Sequence, residues 1–382
     1  MHDAARKAVG FDDFGDQSYR KGLWVLLDAY DRESRLTAVG RVMVEQQLIG
    51  ILKNRLVAQH YWNTNPDILK IEVRRPIFIL GLPRTGTTAL HHLLGQNPAN
   101  QVLEYWLAAA PSPRPPRSEW EREPRFQQAV QDLKSMYEMD PSLKAMHLMT
   151  ADGPEECRHL LQHTFTDDTF DCNATIPSYS AWYKQHDMLD AYGRHRDLLR
   201  LIGSRQPERR WLLKYPVHMG NLPALLKIYP DACFVQTHRD PSKVMPSICS
   251  LVAGWRAIYE HDVDRRDVAE WLLDLWSRRL YDGMQVRRQH DRTQFFDLHF
   301  REILADPVGA AKRIYAYFGI EISAEAEQRM RAWQADNRQG KHGEHHYNAQ
   351  DFGLTDDAIA ERFASYLDHF QVERERSTTS TQ

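Results

Sequence analysis

Two short stretches carry side chains and backbone able to hold negative charge. The first is Gly81-Leu82-Pro83-Arg84-Thr85-Gly86-Thr87-Thr88, which follows the apolar run Ile77-Phe78-Ile79-Leu80 and opens a helical pattern. Backbone N–H groups at such a strand–loop–helix junction, added to the positive end of the helix, form a cradle for phosphate-like anions. The form is G-x-x-x-x-G-T-T, a Walker A loop with Thr87 where a nucleoside triphosphatase has its lysine. Arg84 supplies a cation inside the loop instead and could reach the outer oxygens of a phosphate chain. A plain strand–turn–helix with Gly86 at positive φ is the bland alternative. The second stretch is His238-Arg239-Asp240-Pro241 through Ser247. Arg239 ends a strand-like run, and Ser247 lies eight residues on, within the next helix. Charge from one and a hydroxyl from the other could converge on a single phosphate. The competing reading makes Asp240 a helix cap and leaves Arg239 solvated.

The elements that must position these groups alternate short apolar strands with helices. Strands are expected at Ile77–Leu80, Trp211–Lys214, Ala232–Thr237 and Phe295–Leu298. Helices are expected at Thr87–Gly95, Leu222–Tyr229, Lys243–Val252, Val268–Arg288 and Pro307–Phe318. That alternation specifies an α/β fold: a P-loop-like parallel sheet flanked by helices, binding ligands at the carboxyl ends of its strands. Residues 1–72 read as an N-terminal helical element, with apolar residues repeating at three- and four-residue steps. Residues 73–370 form the α/β domain, with a helical insertion over about 111–205 that opens on a Pro- and Arg-rich excursion. Residues 371–382 are a polar tail.

Composition narrows the function classes. The 382 residues hold 49 Lys and Arg against 52 Asp and Glu, for a net charge of −3, which lacks the basic footprint of a nucleic-acid binder. No apolar run reaches the ~20 residues of a membrane span, and the start Met1-His2-Asp3 has no signal-like apolar core. The four cysteines, Cys157, Cys172, Cys233 and Cys249, form no CxxC pair, so reduced thiols in a cytoplasmic protein are expected. A homodimer is allowed but not specified.

Taken in order along the chain, these motifs resemble the sulfotransferases that use PAPS (3′-phosphoadenosine 5′-phosphosulfate), in their bacterial branch. The Gly81–Thr88 loop resembles that family's 5′-phosphosulfate loop, and Arg239 with Ser247 resembles its 3′-phosphate pair. The resemblance continues through Lys214-Tyr215-Pro216-Val217-His218, Arg338-Gln339-Gly340-Lys341-His342-Gly343 and Asp351-Phe352-Gly353-Leu354. It covers most of residues 73–370. It implies sulfuryl transfer from PAPS to a hydroxyl or amine of a small, partly apolar acceptor, without a metal. The cofactor contacts it implies are Pro83, Arg84, Thr85, Gly86, Thr87, Thr88, Arg239, Ser247, Arg338, Lys341 and Gly343. Lys214 would touch the phosphosulfate and, with Arg84, meet the charge of the leaving phosphate.

Two residues compete for the role of base. Many members place a histidine two residues after this lysine; here Pro216 stands there, and the histidine is His218, four residues on. Glu104, twenty residues beyond Arg84, matches branches with a carboxylate base. The bland alternatives are a helix-capping His218 and a Glu104 paired with an arginine. Asp152-Gly153-Pro154-Glu155-Glu156 reads as a helix start with acids in its first turn, and a place for either glutamate at an acceptor pocket is the lesser reading. Met136, Met149, Phe165, Tyr179 and neighbouring aromatics could line an apolar acceptor cavity or pack a helical cap. Gly340 and Gly343 make the histidines around His342 a loop rather than a metal site. His238-Arg239-Asp240 and Asp351-Phe352-Gly353 spell kinase signatures, but Met245 fills the position of the catalytic-loop Asn and no VAIK strand is present. The rival functions are a P-loop nucleotide phosphotransferase or kinase, and a sensor that binds the nucleotide without turnover.

Overall fold

Continuous apolar runs become the buried strands of a parallel sheet because both of their faces are covered. The computed structural model describes residues 1–139, 149–337 and 348–375. Five strands, β1 (Ile77–Gly81), β2 (Asn100–Val102), β3 (Arg210–Lys214), β4 (Cys233–His238) and β5 (Phe295–His299), lie in the order β2-β3-β1-β4-β5. Every pairing is parallel. The four expected strands are present. The missed one, β2, is three residues long and pairs with β3 alone. Its first residue reads as loop because Asn100 is polar; buried, its amide donates to Leu94 O at 3.0 Å and to Tyr315 Oη at 2.8 Å.

Alternation along the strands divides the core. Ile77, Ile79, Leu212 and Val235 face one layer, with Leu90 and Leu94 of the Thr87–Leu94 helix and Ile314 of the Pro307–Tyr317 helix. Phe78, Leu80, Leu213 and Phe234 face the larger layer. That layer includes the N-terminal helices Tyr19–Glu33 and Ala38–Thr64, the insertion, and the long helices Pro241–Tyr259 and Arg265–Arg288. Buried Arg55 ties the N-terminal helices to the insertion by donating to Phe14 O, Asp16 O and His163 O.

Two segments depart from expectation. The Pro241–Tyr259 helix starts earlier and runs longer, because Asp240 caps it and Pro241 occupies its first position. No helix starts at Asp152. Pro154 bridges Glu104, Glu155 N donates to Leu103 O at 2.7 Å, and Cys157 N donates to Lys214 O at 3.2 Å. These lateral bonds hold residues 154–157 against neighbouring backbone, and the helix begins only at Arg158. No described helix is long and apolar enough to cross a membrane.

Candidate active site

β1 turns into its loop at Gly81, with φ of 127°, where the strand register sets it beside Thr237 of β4. A Cβ there would lie 2.6 Å from Thr237 O, so only glycine fits. The loop is braced from within: the Thr85 hydroxyl donates to Leu82 O at 2.6 Å and meets Thr237 Oγ1 at 2.6 Å. The Thr85 side chain is therefore buried, and only its backbone is left for an anion. Arg84 and Gly86 both adopt left-handed backbone, φ 65° and 86°, before the helix starts at Thr87. Successive turns of this kind aim N–H groups into one concavity. Pro83, Arg84, Gly86, Thr87 and Thr88 line a cavity of about 490 Å³.

Lys214 ends β3, in register with Ile79 of β1, and so reaches the same sheet edge. Its ammonium donates to Glu156 Oε1 at 2.5 Å and to Thr88 Oγ1 at 3.3 Å. The non-helical course of residues 154–157 brings Glu156 here, and its side chain lines the cavity. The preferred reading of this stretch as a helix start hid that placement, since a first-turn glutamate looks like dipole compensation.

Arg239 follows β4 and lines the same cavity. Its Nη1 donates to Arg84 O at 3.1 Å, and its guanidinium lies over the Phe300 ring, 4.1 Å from the centroid. The competing reading of this motif is also partly realised, since Asp240 Oδ1 accepts from Ser242 N at 2.9 Å. Ser247 is buried in the following helix and is not among the residues lining the cavity. Arg338, Lys341 and Gly343 lie outside the described residues.

The two expected bases are placed elsewhere. Glu104 accepts from Arg114 Nε at 3.1 Å and Nη2 at 2.8 Å, in a pair whose side chains are 9% and 4% exposed. Arg114 comes from the Pro-rich excursion and also donates to Gln101 Oε1 at 2.7 Å. The bland alternative for Glu104, an arginine partner, is what the structure has. His218 does not cap a helix. The Pro216–Asn221 turn carries it back into the core, where its Nδ1 lies 2.7 Å from Tyr192 Oη and its ring stands edge-on to Phe78. Burial, then the neighbouring His195, holds its imidazole well below the usual histidine range. Neither residue lines the cavity.

The rest of the cavity is largely apolar. Met136 and Met149 reach it from the insertion, whereas Phe165 and Tyr179 follow the alternative reading and are buried in the core. Trp255, Trp271 and Trp276, from the two long helices, supply aromatic walls that the sequence reading missed. Asp168 and Thr169 form a polar edge. There the Tyr215 phenol donates toward both Asp167 and Asp168, and Arg279 pairs with Asp168 at 2.8 Å. Burial, then the adjacent Asp168, raises the Asp167 carboxyl above the usual carboxylate range.

The sulfotransferase family profile matches residues 76–325. The crystal structure of sulfotransferase STF1 from Mycobacterium tuberculosis is 40% identical, covers 95% of this chain and 97% of its own, and superposes with a TM-score of 0.87. Sulfotransferase STF9 from Mycobacterium avium is 28% identical over 98% of this chain and 96% of its own, with a TM-score of 0.90. The omega-hydroxy-beta-dihydromenaquinone-9 sulfotransferase Stf3 of Mycobacterium bovis is 27% identical over 312 residues, 78% of this chain and 76% of its own. A match of this extent, over a fold whose strand ends bring a glycine loop and Arg239 to one cavity, with buried Lys214 bonded to Thr88 and Glu156 of its lining, establishes that the chain belongs to the sulfotransferase family and is an enzyme of sulfuryl transfer.

Proposed function

We propose that the donor is PAPS, with its 5′-phosphosulfate in the Gly81–Thr88 loop and its 3′-phosphate at Arg239. The acceptor in this reading is a small, largely apolar molecule carrying a hydroxyl. The observation that carries the proposal is the 3.1 Å bond from Arg239 to the carbonyl of Arg84, which joins the two anion-binding groups on one cavity wall. The Trp255, Trp271 and Trp276 walls support an apolar acceptor, in keeping with the lipid quinone in the name of the Mycobacterium bovis relative. The four free thiols agree with a reducing, cytoplasmic setting.

In this reading Glu156, rather than Glu104 or His218, takes the acceptor's proton. The acceptor oxygen attacks sulfur as the bond from sulfur to the bridging phosphate oxygen breaks, and that oxygen leaves with the electron pair. Lys214 and the loop N–H groups meet the charge growing on it, so the reaction needs no metal. Catalysis by such a site is mainly positioning and charge stabilisation.

Calorimetry with adenosine 3′,5′-bisphosphate in magnesium-free buffer is the test. Binding, with ATP at least tenfold weaker, is the expected result. Absence of bisphosphate binding, or magnesium-dependent preference for ATP, overturns the donor assignment.

A further inference from the structure

The guanidinium assigned to the 3′-phosphate already holds an anion from the chain itself. Glu375 accepts from Arg239 Nε at 2.8 Å and from Nη2 at 3.1 Å, a two-point carboxylate contact. Its backbone N–H donates to Asp240 Oδ2 at 2.7 Å, which fixes the carboxylate over the start of the Pro241–Tyr259 helix. The preceding residues are fastened along the same edge. Phe370 stacks on His238 at the end of β4, 4.2 Å between ring centroids, Glu373 pairs with Arg301, and Arg374 pairs with Asp357 at 3.0 Å. The strap is thus tied down at several points, and its last described side chain lies on a residue of the donor site.

We propose that Glu375 is a tethered anion that holds Arg239 until the donor's 3′-phosphate takes its place, so that nucleotide binding and release move the 371–375 strap. The inference rests on the donor reading above. The exchange is balanced for reversibility. The Glu375 and Arg239 side chains are 40% and 23% exposed, and ion pairs this exposed are weak. A phosphate monoester brings nearly two charges and three acceptor oxygens against one carboxylate, so it displaces the glutamate. Tethering in turn keeps the carboxylate at high local concentration, and it recaptures Arg239 as the spent bisphosphate departs. Arg239 then has a partner in both states, and neither exchange leaves its charge bare.

The test is calorimetry on the full chain with two nucleotides that differ only at the contested group. Glu375→Gln and Glu375→Ala are expected to bind adenosine 3′,5′-bisphosphate roughly 1.5- to fivefold tighter than the wild type, the size of a lost exposed-pair competition. Adenosine 5′-phosphate, which lacks the 3′-phosphate, is expected to bind all three proteins equally. Hydrogen exchange at residues 371–375 should quicken when the bisphosphate is added to the wild type. If the wild type binds the bisphosphate and the variants bind no tighter, or if exchange in the strap is unchanged or slowed, the strap proposal is wrong. Should none of the three proteins bind the bisphosphate, the donor assignment falls as well.

Discussion

Lys214 Nζ stands 2.5 Å from Glu156 Oε1 and 3.3 Å from Thr88 Oγ1, which ties this buried lysine to two residues of the cavity lining, one of them in the glycine loop. In the function proposed above, the lysine meets the leaving charge and the glutamate takes the acceptor's proton. Glu156→Gln keeps the shape and removes the proposed base. It is expected to lower kcat by about 10²- to 10⁴-fold, the usual contribution of general-base catalysis, while bisphosphate affinity stays near wild type. Lys214→Ala should lower kcat and weaken the nucleotide together. Turnover with sulfur-labelled donor, on an apolar alcohol chosen by screening, reads both effects. Wild-type kcat in the glutamine variant would show that the base lies elsewhere.

Arg239→Ala removes the charge assigned to the 3′-phosphate. The expected loss of bisphosphate affinity is about 1.5–3 kcal/mol, the range for a charge-assisted hydrogen bond. Because Glu375 acts through Arg239, adding Glu375→Ala to that variant should restore nothing, and a double-mutant cycle measured by calorimetry would show the coupling. Unchanged affinity in Arg239→Ala would remove this residue from the donor site.

The framework of the site was legible because it follows from short-range rules. Four apolar runs gave strands, and Gly81 and Gly86 marked the loop. Residues whose roles depend on lateral contacts were not legible. Glu156, two residues after Pro154, looks like first-turn dipole compensation until Leu103 O and Lys214 O are seen to hold its segment away from helix. Glu104 lies at the expected distance from the loop, but Arg114, ten residues on, captures it in the core. The tryptophans of the cavity sit on helices that sequence periodicity identifies, yet periodicity does not say which part of a buried face opens onto a cavity.

Glu104 and Arg114 form a structural pair, and the prediction for them differs accordingly. Glu104→Ala leaves a buried guanidinium without its carboxylate and is expected to cost about 3–5 kcal/mol of stability, as broken buried pairs do. Urea unfolding measures the loss. Sulfuryl transfer per folded molecule, assayed well below the unfolding midpoint, should be close to wild type. His218→Ala should likewise lose stability through the stranded Tyr192 hydroxyl and retain transfer. A stable Glu104→Ala protein with abolished transfer would return Glu104 to the chemistry.

Buried carboxyls set how stability depends on pH. Burial lifts Asp171 from 3.8 to about 8, with Ser180 Oγ donating to it at 2.6 Å, and raises Asp167 as well. Folded-state values above the unfolded ones mean that the folded chain holds extra protons between pH ~4 and 8, so stability is lost as pH rises through that window. His195, held down to about 3 by burial, works in the opposite sense, as do His91, His159, His163 and His218, all lowered by burial, and together they cost stability as pH falls through 6.5. Above pH ~7.5 the unfolded chain's histidines are neutral as well, so the carboxyls act against little opposition and the melting temperature should fall from there to pH 8.5. Asp171→Asn cannot ionise, yet its amide oxygen can still accept from Ser180. Thermal melts at pH 6.5, 7.5 and 8.5 should show a shallower decline in this variant. An equally steep decline would mean that Asp171 is ionised in the folded protein already at pH 6.5.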